Sequence, residues 1–207
     1  MAAEPADHRR ATAERNVQSI LDAAEALLND GRAASIAAIA ARAHVSRVTV
    51  YAHFPTREAV LEAVLERAVA RATVAFDDAT AGATSAVEAL DQAITASWAE
   101  LSRNAAIAEA AAAQLSPDAL RRTHASAHAH IQRMFEEGMA RGEFRTDVPP
   151  DWLVSVYQAL LHAAGEDVRA GRLDEATALH ALITTIRAAF APLGPAGSDD
   201  SAAPAPS

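Results

Sequence analysis

Apolar residues recur at helical spacing through nearly all of this chain, and the breaks between stretches fall on Gly, Pro or a capping side chain, which predicts an all-α fold. The first stretch runs from Thr12, a candidate N-cap, to Asn29, with Val17, Ile20, Leu21, Ala24, Leu27 and Leu28 on one stripe and Asp30-Gly31 as the stop. Ser35 then caps a short helix to Ala43 whose apolar face is Ile36, Ile39 and Ala40. Ser46 caps another, Arg47 to Phe54, with Val50 and Phe54 turned inward. Pro55-Thr56 breaks that helix and opens a longer one from Arg57, with Val60, Leu61, Val64, Leu65 and Ala68 carrying the stripe towards Phe76.

A second helical array follows. Its segments are Ser85 to Arg103, an Ala-rich run from Asn104 to Leu115, and a helix opened by Ser116-Pro117-Asp118 that carries Leu120, His124, Ala127, His128, Ile131, Phe135 and Met139. Pro149-Pro150-Asp151 starts the next, towards Gly171, and Asp174 caps the last. These last two helices hold more apolar surface than one core requires. Leu153, Val156 and Leu160 on one, with Leu179, Leu182, Ile183, Ile186 and Phe190 on the other, are candidates for a four-helix seam across a two-fold axis. The expected organisation is an unstructured 1–11, a helix-turn-helix unit over 12–56, a connecting helix and helical domain over 57–191, and a disordered tail over 192–207. That tail is rich in Pro, Gly, Ser and Ala and cannot bury enough to order itself.

Composition narrows the chemistry. Hydrophobic residues make up 51% and aromatics only 4%, as expected of close-packed helices. The absence of cysteine excludes disulfides, thiolate catalysis and Cys-based zinc sites. The net charge of −9 argues against nucleic acid until its distribution is considered: residues 1–60 carry seven Arg and seven acidic residues, so the whole excess lies beyond them. The chain has no charged start followed by an apolar run and no membrane-length apolar stretch, so a cytoplasmic location and no membrane partner are expected.

Two short helices joined by a tight turn can form a helix-turn-helix, whose second helix lies in the major groove of double-stranded DNA. Its outward set here is Arg47, Val48, Thr49, Tyr51, Ala52 and His53. Arg can bond a guanine edge in bidentate fashion, Thr and Val can touch a thymine methyl, and Tyr and His can reach phosphates. The run Ser35-Ile36-Ala37-Ala38-Ile39-Ala40, the Val45-Ser46 turn, Thr49-x-Tyr51-x-x-Phe54 and Arg57-Glu58 before Leu61 together closely resemble the TetR family of bacterial regulators. The resemblance covers roughly residues 12 to 65. It implies a nine-helix homodimer with three DNA-binding helices and a C-terminal effector-binding and dimerisation domain. Carried over by position, it implies that Arg47, Val48 and Thr49 face bases while Ser35, Ser46, Tyr51, His53 and Arg57 lie at or near phosphates. Two positions depart from the family pattern. His44 stands where Gly is usual, at a turn position needing positive φ, and Ala37 stands where some members place a base-contacting polar residue.

The function expected from this pattern is a ligand-responsive transcriptional repressor. It would bind a pseudo-palindromic operator as a homodimer and be released by a small-molecule effector held near Trp98, His128, Phe135 and Tyr157. Two other classes compete. His124, His128 and His130 could serve a metal-dependent helical enzyme, since His at i and i+4 share a face, although His130 lies off it. A helical interaction protein without DNA binding is the other. No Gly-rich phosphate loop, nucleophile triad or carboxylate pair stands out, so no catalytic residue, metal or cofactor is expected.

Overall fold

The computed structural model describes residues 4–193, and their side chains from residue 10 onward. Among these residues nine helices follow one another and no strand occurs: α1 (Glu4–Asn29), α2 (Ile36–Arg42), α3 (Arg47–His53), α4 (Arg57–Thr80), α5 (Ala86–Arg103), α6 (Ala105–Gln114), α7 (Pro117–Ala140), α8 (Pro150–Arg169) and α9 (Glu175–Phe190). The starts follow from the capping side chains. Ser35, Ser46, Thr56, Ser85, Ser116 and Asp174 each accept a backbone N–H three residues on, satisfying one of the donors a helix leaves open at its start. α1 begins at Glu4 instead of Thr12, so the helix takes in most of the segment expected to lie outside the fold. Its Pro5 falls in the first turn, where a missing N–H is tolerated. The expected tail lies outside the described residues from position 194 on.

Helix ends are equally local. At the end of α1 the Gly31 N–H bonds to Leu28 O at 2.9 Å and the Arg32 N–H to Leu27 O at 2.9 Å, a turn that needs positive φ, and Gly31 has φ 67°. The same turn closes α2, where His44 has φ 55° and the Val45 N–H reaches Ala40 O at 3.0 Å. The backbone thus keeps the positive-φ turn with His in place of the usual Gly, as expected of a residue type enriched in that conformation.

Two hydrophobic clusters form. The first joins α1, α2, α3 and the first part of α4 through Ile20, Ala24, Leu27, Ile39, Val50, Val60 and Val64, and it also takes in Ile107 and Ala111 of α6, Leu115, and Ala119 of α7. The second gathers α5, α7, α8 and α9 around Phe135, whose ring meets those of Phe144, Tyr157 and Phe190 edge-on at 5.8, 6.1 and 5.1 Å between centroids. Gly138 lets Phe144 in: a Cβ there would sit 2.2 Å from the ring. No helix among the described residues is long and apolar enough to cross a membrane.

Candidate DNA interface and effector region

The geometry of α3 follows from one buried and several exposed positions. Val50 is fully buried and anchors the helix on the first cluster, while Phe54 packs against that cluster's edge. The opposite face is left to solvent: Arg47 and Ala52 are exposed, Val48 is 77% exposed and Tyr51 54%, with Thr49 and His53 half-buried beside them. Val48 and Tyr51 are two of the few large apolar side chains left in the open. The Ser46 hydroxyl accepts the Thr49 N–H at 3.0 Å and lies 2.9 Å from Thr49 Oγ1, so both hydroxyls are oriented before any partner arrives. Ser35 is exposed, and its Oγ accepts the Ala38 N–H at 3.2 Å.

The charge around this face has a pattern that the balance over residues 1–60 concealed. Residues 31–57 contain Arg32, Arg42, Arg47 and Arg57 and no acidic residue, in a chain whose net charge is −9. That acid-free window was legible in the sequence, and it adds Arg32, exposed at the end of α1, to the cations near the interface. The four arginines are not equivalent. Arg42 pairs with Asp30 at 3.2 Å. Arg57 is half-buried and donates through Nε to Ala34 O at 2.8 Å and through Nη1 to Gln114 Oε1. Arg47 makes no ion pair among the described residues and stands in solvent.

Three of the four residues expected to touch an effector come together. Trp98, Phe135 and Tyr157 all belong to the second cluster and are almost wholly enclosed, so they fill its interior instead of lining an open cavity. The Tyr157 hydroxyl lies 2.9 Å from Ser97 Oγ. Burial pushes the Tyr157 phenol well above its ordinary value, and the bond to Ser97 offsets only part of that, so the group stays neutral. His128 stands apart at the surface, half-buried, with Nε2 3.8 Å from Asp151 Oδ1.

The eight residues expected at a two-fold seam separate into two sets. Leu153, Leu182, Ile186 and Phe190 are buried within their own chain, whereas Val156, Leu160, Leu179 and Ile183 are only partly covered. The histidines of α7 go to different partners: His124 Nδ1 lies 2.8 Å from Leu120 O, His130 Nδ1 lies 3.0 Å from Asp77 Oδ1, and His128 faces Asp151. Among the described residues no three His, Cys, Asp or Glu side chains gather as a metal site would require.

Residues 20–64 match the family model of the bacterial regulatory proteins of the tetR family. No curated protein gives a significant sequence match. Among solved structures, a TetR family transcription regulator from Marinobacter aquaeolei VT8 is 18% identical with a TM-score of 0.66, covering 88% of this chain and 98% of its own. The TetR-like regulator LfrR from Mycobacterium smegmatis, solved with proflavine, is 22% identical with a TM-score of 0.63, covering 85% and 96%. FadR from Bacillus subtilis, solved with stearoyl-CoA, is 14% identical with a TM-score of 0.70, covering 83% and 98%. At such identities the likeness speaks for the fold, and it covers 83–88% of this chain where the family model covers residues 20–64. This chain therefore carries the helix-turn-helix domain of the tetR family of bacterial regulatory proteins, set within the all-helical fold of TetR-family transcription regulators.

Proposed function

We propose that the protein is a cytoplasmic, ligand-responsive transcriptional repressor that binds a pseudo-palindromic operator as a homodimer. The observation that carries this reading is the outer face of α3, where Arg47, Val48 and Tyr51 stand in solvent on a helix pinned from behind by Val50. An exposed face that mixes one unpaired cation with apolar and hydroxyl groups, in an acid-free segment, suits the edges and phosphates of a major groove better than it suits water. Residues 12–56 would be the DNA-binding unit and 57–191 the effector and dimerisation unit.

One short recognition helix reads too few base pairs to be specific alone, so a two-fold pair is required. In the proposed dimer, Val156, Leu160, Leu179 and Ile183 meet their copies while Leu153, Leu182, Ile186 and Phe190 support them from beneath. The effector would enter the second cluster near Trp98, Phe135 and Tyr157, with His128 at its margin. Proflavine in LfrR and stearoyl-CoA in FadR are ligands of those proteins, and they support the general idea of an apolar, partly aromatic guest here. Such a guest must displace packed rings, so it binds the opened state in preference to the closed one. That differential affinity is what can shift DNA binding.

The reading is tested with duplexes selected from a randomised pool by the protein itself. Arg47→Ala is expected to cost about 1–3 kcal/mol on the selected duplex and to relax preference at one position per half-site. Tyr51→Phe should weaken selected and scrambled duplexes alike. A pool from which no sequence is enriched would sink the proposal, and an enriched sequence without a repeated half-site would sink its dimeric part.

A further inference from the structure

α6 lies outside the segment matched by the family model, yet its apolar face belongs to the core under the helix-turn-helix, where Ile107 and Ala111 are buried. Both ends of this helix are held by arginines of α4. At the N-terminal end Arg71 Nη2 donates to Asn104 Oδ1 at 3.2 Å and also to Glu25 Oε1 of α1 at 2.8 Å. Asn104 is fixed in turn, its amide donating to Glu100 O at 2.8 Å and Glu100 Oε2 at 3.2 Å. At the C-terminal end Arg57 joins Gln114 to Ala34 O, directly before the Ser35 cap of α2. Each clasp has one foot on α6 and the other on the reading unit, at α1 in one case and at the entry to α2 in the other.

A helix of the sequence Ala-Ala-Ile-Ala-Glu-Ala-Ala-Ala-Ala-Gln needs such clasps. Alanine side chains offer almost no knobs to interdigitate, so apolar burial holds α6 against the core but fixes its axial position only weakly. Directional bonds at the two ends supply that register. We infer that Gln114 and Asn104 are positioning residues for DNA reading, acting through Arg57 and Arg71 to set the helix-turn-helix against the rest of the chain. Arg57 is on this account a strut between α6 and the α2 entry and not a phosphate contact. The inference rests on the DNA-binding reading proposed above.

Gln114 is exposed at the end of its helix, and Ala is a good helix former, so Gln114→Ala should leave the melting transition unchanged. On a duplex selected from a randomised pool by the wild-type protein, Gln114→Ala is expected to weaken binding by about 3- to 10-fold, the scale of one lost hydrogen bond at an exposed site. The slope of affinity against salt should stay as in wild type, because no phosphate contact is removed. Gln114→Glu, which keeps an acceptor for Arg57, should retain wild-type affinity. Adding Gln114→Ala to Arg57→Ala should do no further harm, since both break one bond. Wild-type affinity in Gln114→Ala, or single effects that multiply in the double variant, would overturn the inference while leaving DNA binding intact. A wild-type protein that enriched no duplex would instead remove the reading beneath it, and the inference with it.

Discussion

The core beneath the helix-turn-helix buries aliphatic side chains and no aromatic ring, whereas the C-terminal core is built on six: Phe76, Trp98, Phe135, Phe144, Tyr157 and Phe190. The first includes the two short helices α2 and α3, whose geometry is set residue by residue, by hydroxyl caps at Ser35 and Ser46 and by a positive-φ turn at His44. Its precision comes from the backbone, as a surface meant to present α3 in one orientation demands. The second depends on the edge-on packing of large rings from α7, α8, α9 and the loop between α7 and α8. Removing one ring there would leave a space on the scale of a small molecule, which suits the effector site proposed for this region. The two cores thus divide the molecule into a part ordered largely by local rules and a part ordered by long-range packing.

The sharpest break of this contrast is Phe135→Ala. The ring touches three others and is fully buried, so its loss should cost about 3–5 kcal/mol by denaturant titration. A loss under about 1 kcal/mol would mean that the aromatic cluster closes easily around the gap and is not a specific packing. Gly138→Ala comes next. The added methyl meets Phe144 at 2.2 Å and Ala86 Cβ at 2.9 Å, so overpacking of about 1–3 kcal/mol should outweigh the gain in helix propensity. Stability equal to wild type would show that Phe144 can swing aside.

In the first core the effects should be smaller and local. Ser46→Ala removes the cap of α3 and should cost about 1 kcal/mol in stability, together with a further loss in affinity for the selected duplex, because Thr49 loses its hydroxyl partner. A stability loss with undiminished DNA affinity would show that the Ser46 and Thr49 hydroxyls do not serve the interface. Smallest of all, His44→Gly should raise stability by up to about 1 kcal/mol, since glycine takes φ 55° without steric cost. A fall on that change, measured in the same titration, would reveal a contribution from the imidazole itself.

The same division marks what could be read ahead of the structure. The helices from α2 to α9 lie within a few residues of where the sequence predicts them, α6 from its Ala-rich run and α8 from its prolines instead of from a capping side chain, and the outer face of α3 is the set that alternation with Val50 and Phe54 implies. Arg57 was legible as a cation at the start of α4. Its commitment to Ala34 and Gln114 was not, because Gln114 lies 57 positions away on a helix with nothing in its sequence to say where it docks. Trp98, Phe135 and Tyr157 were legible as apolar positions, but their enclosure in one ring cluster was not.

By itself the sequence determined the local terms: helix starts at capping hydroxyls, helix ends at Gly31 and His44, and the helix-turn-helix with its exposed cation. These depend on residues within four or five positions of each other, where bond geometry leaves few choices. Only the tertiary structure decided the rest. A stripe says that a face is buried and not against what, so Leu182 and Ile186 turn out to lie inside their own chain while Leu179 and Ile183 remain partly open. α6, apolar nearly all round, had no stripe to choose a side with. Its place beneath the helix-turn-helix was set by its packing on α1 and α4 and by arginines reaching across from α4.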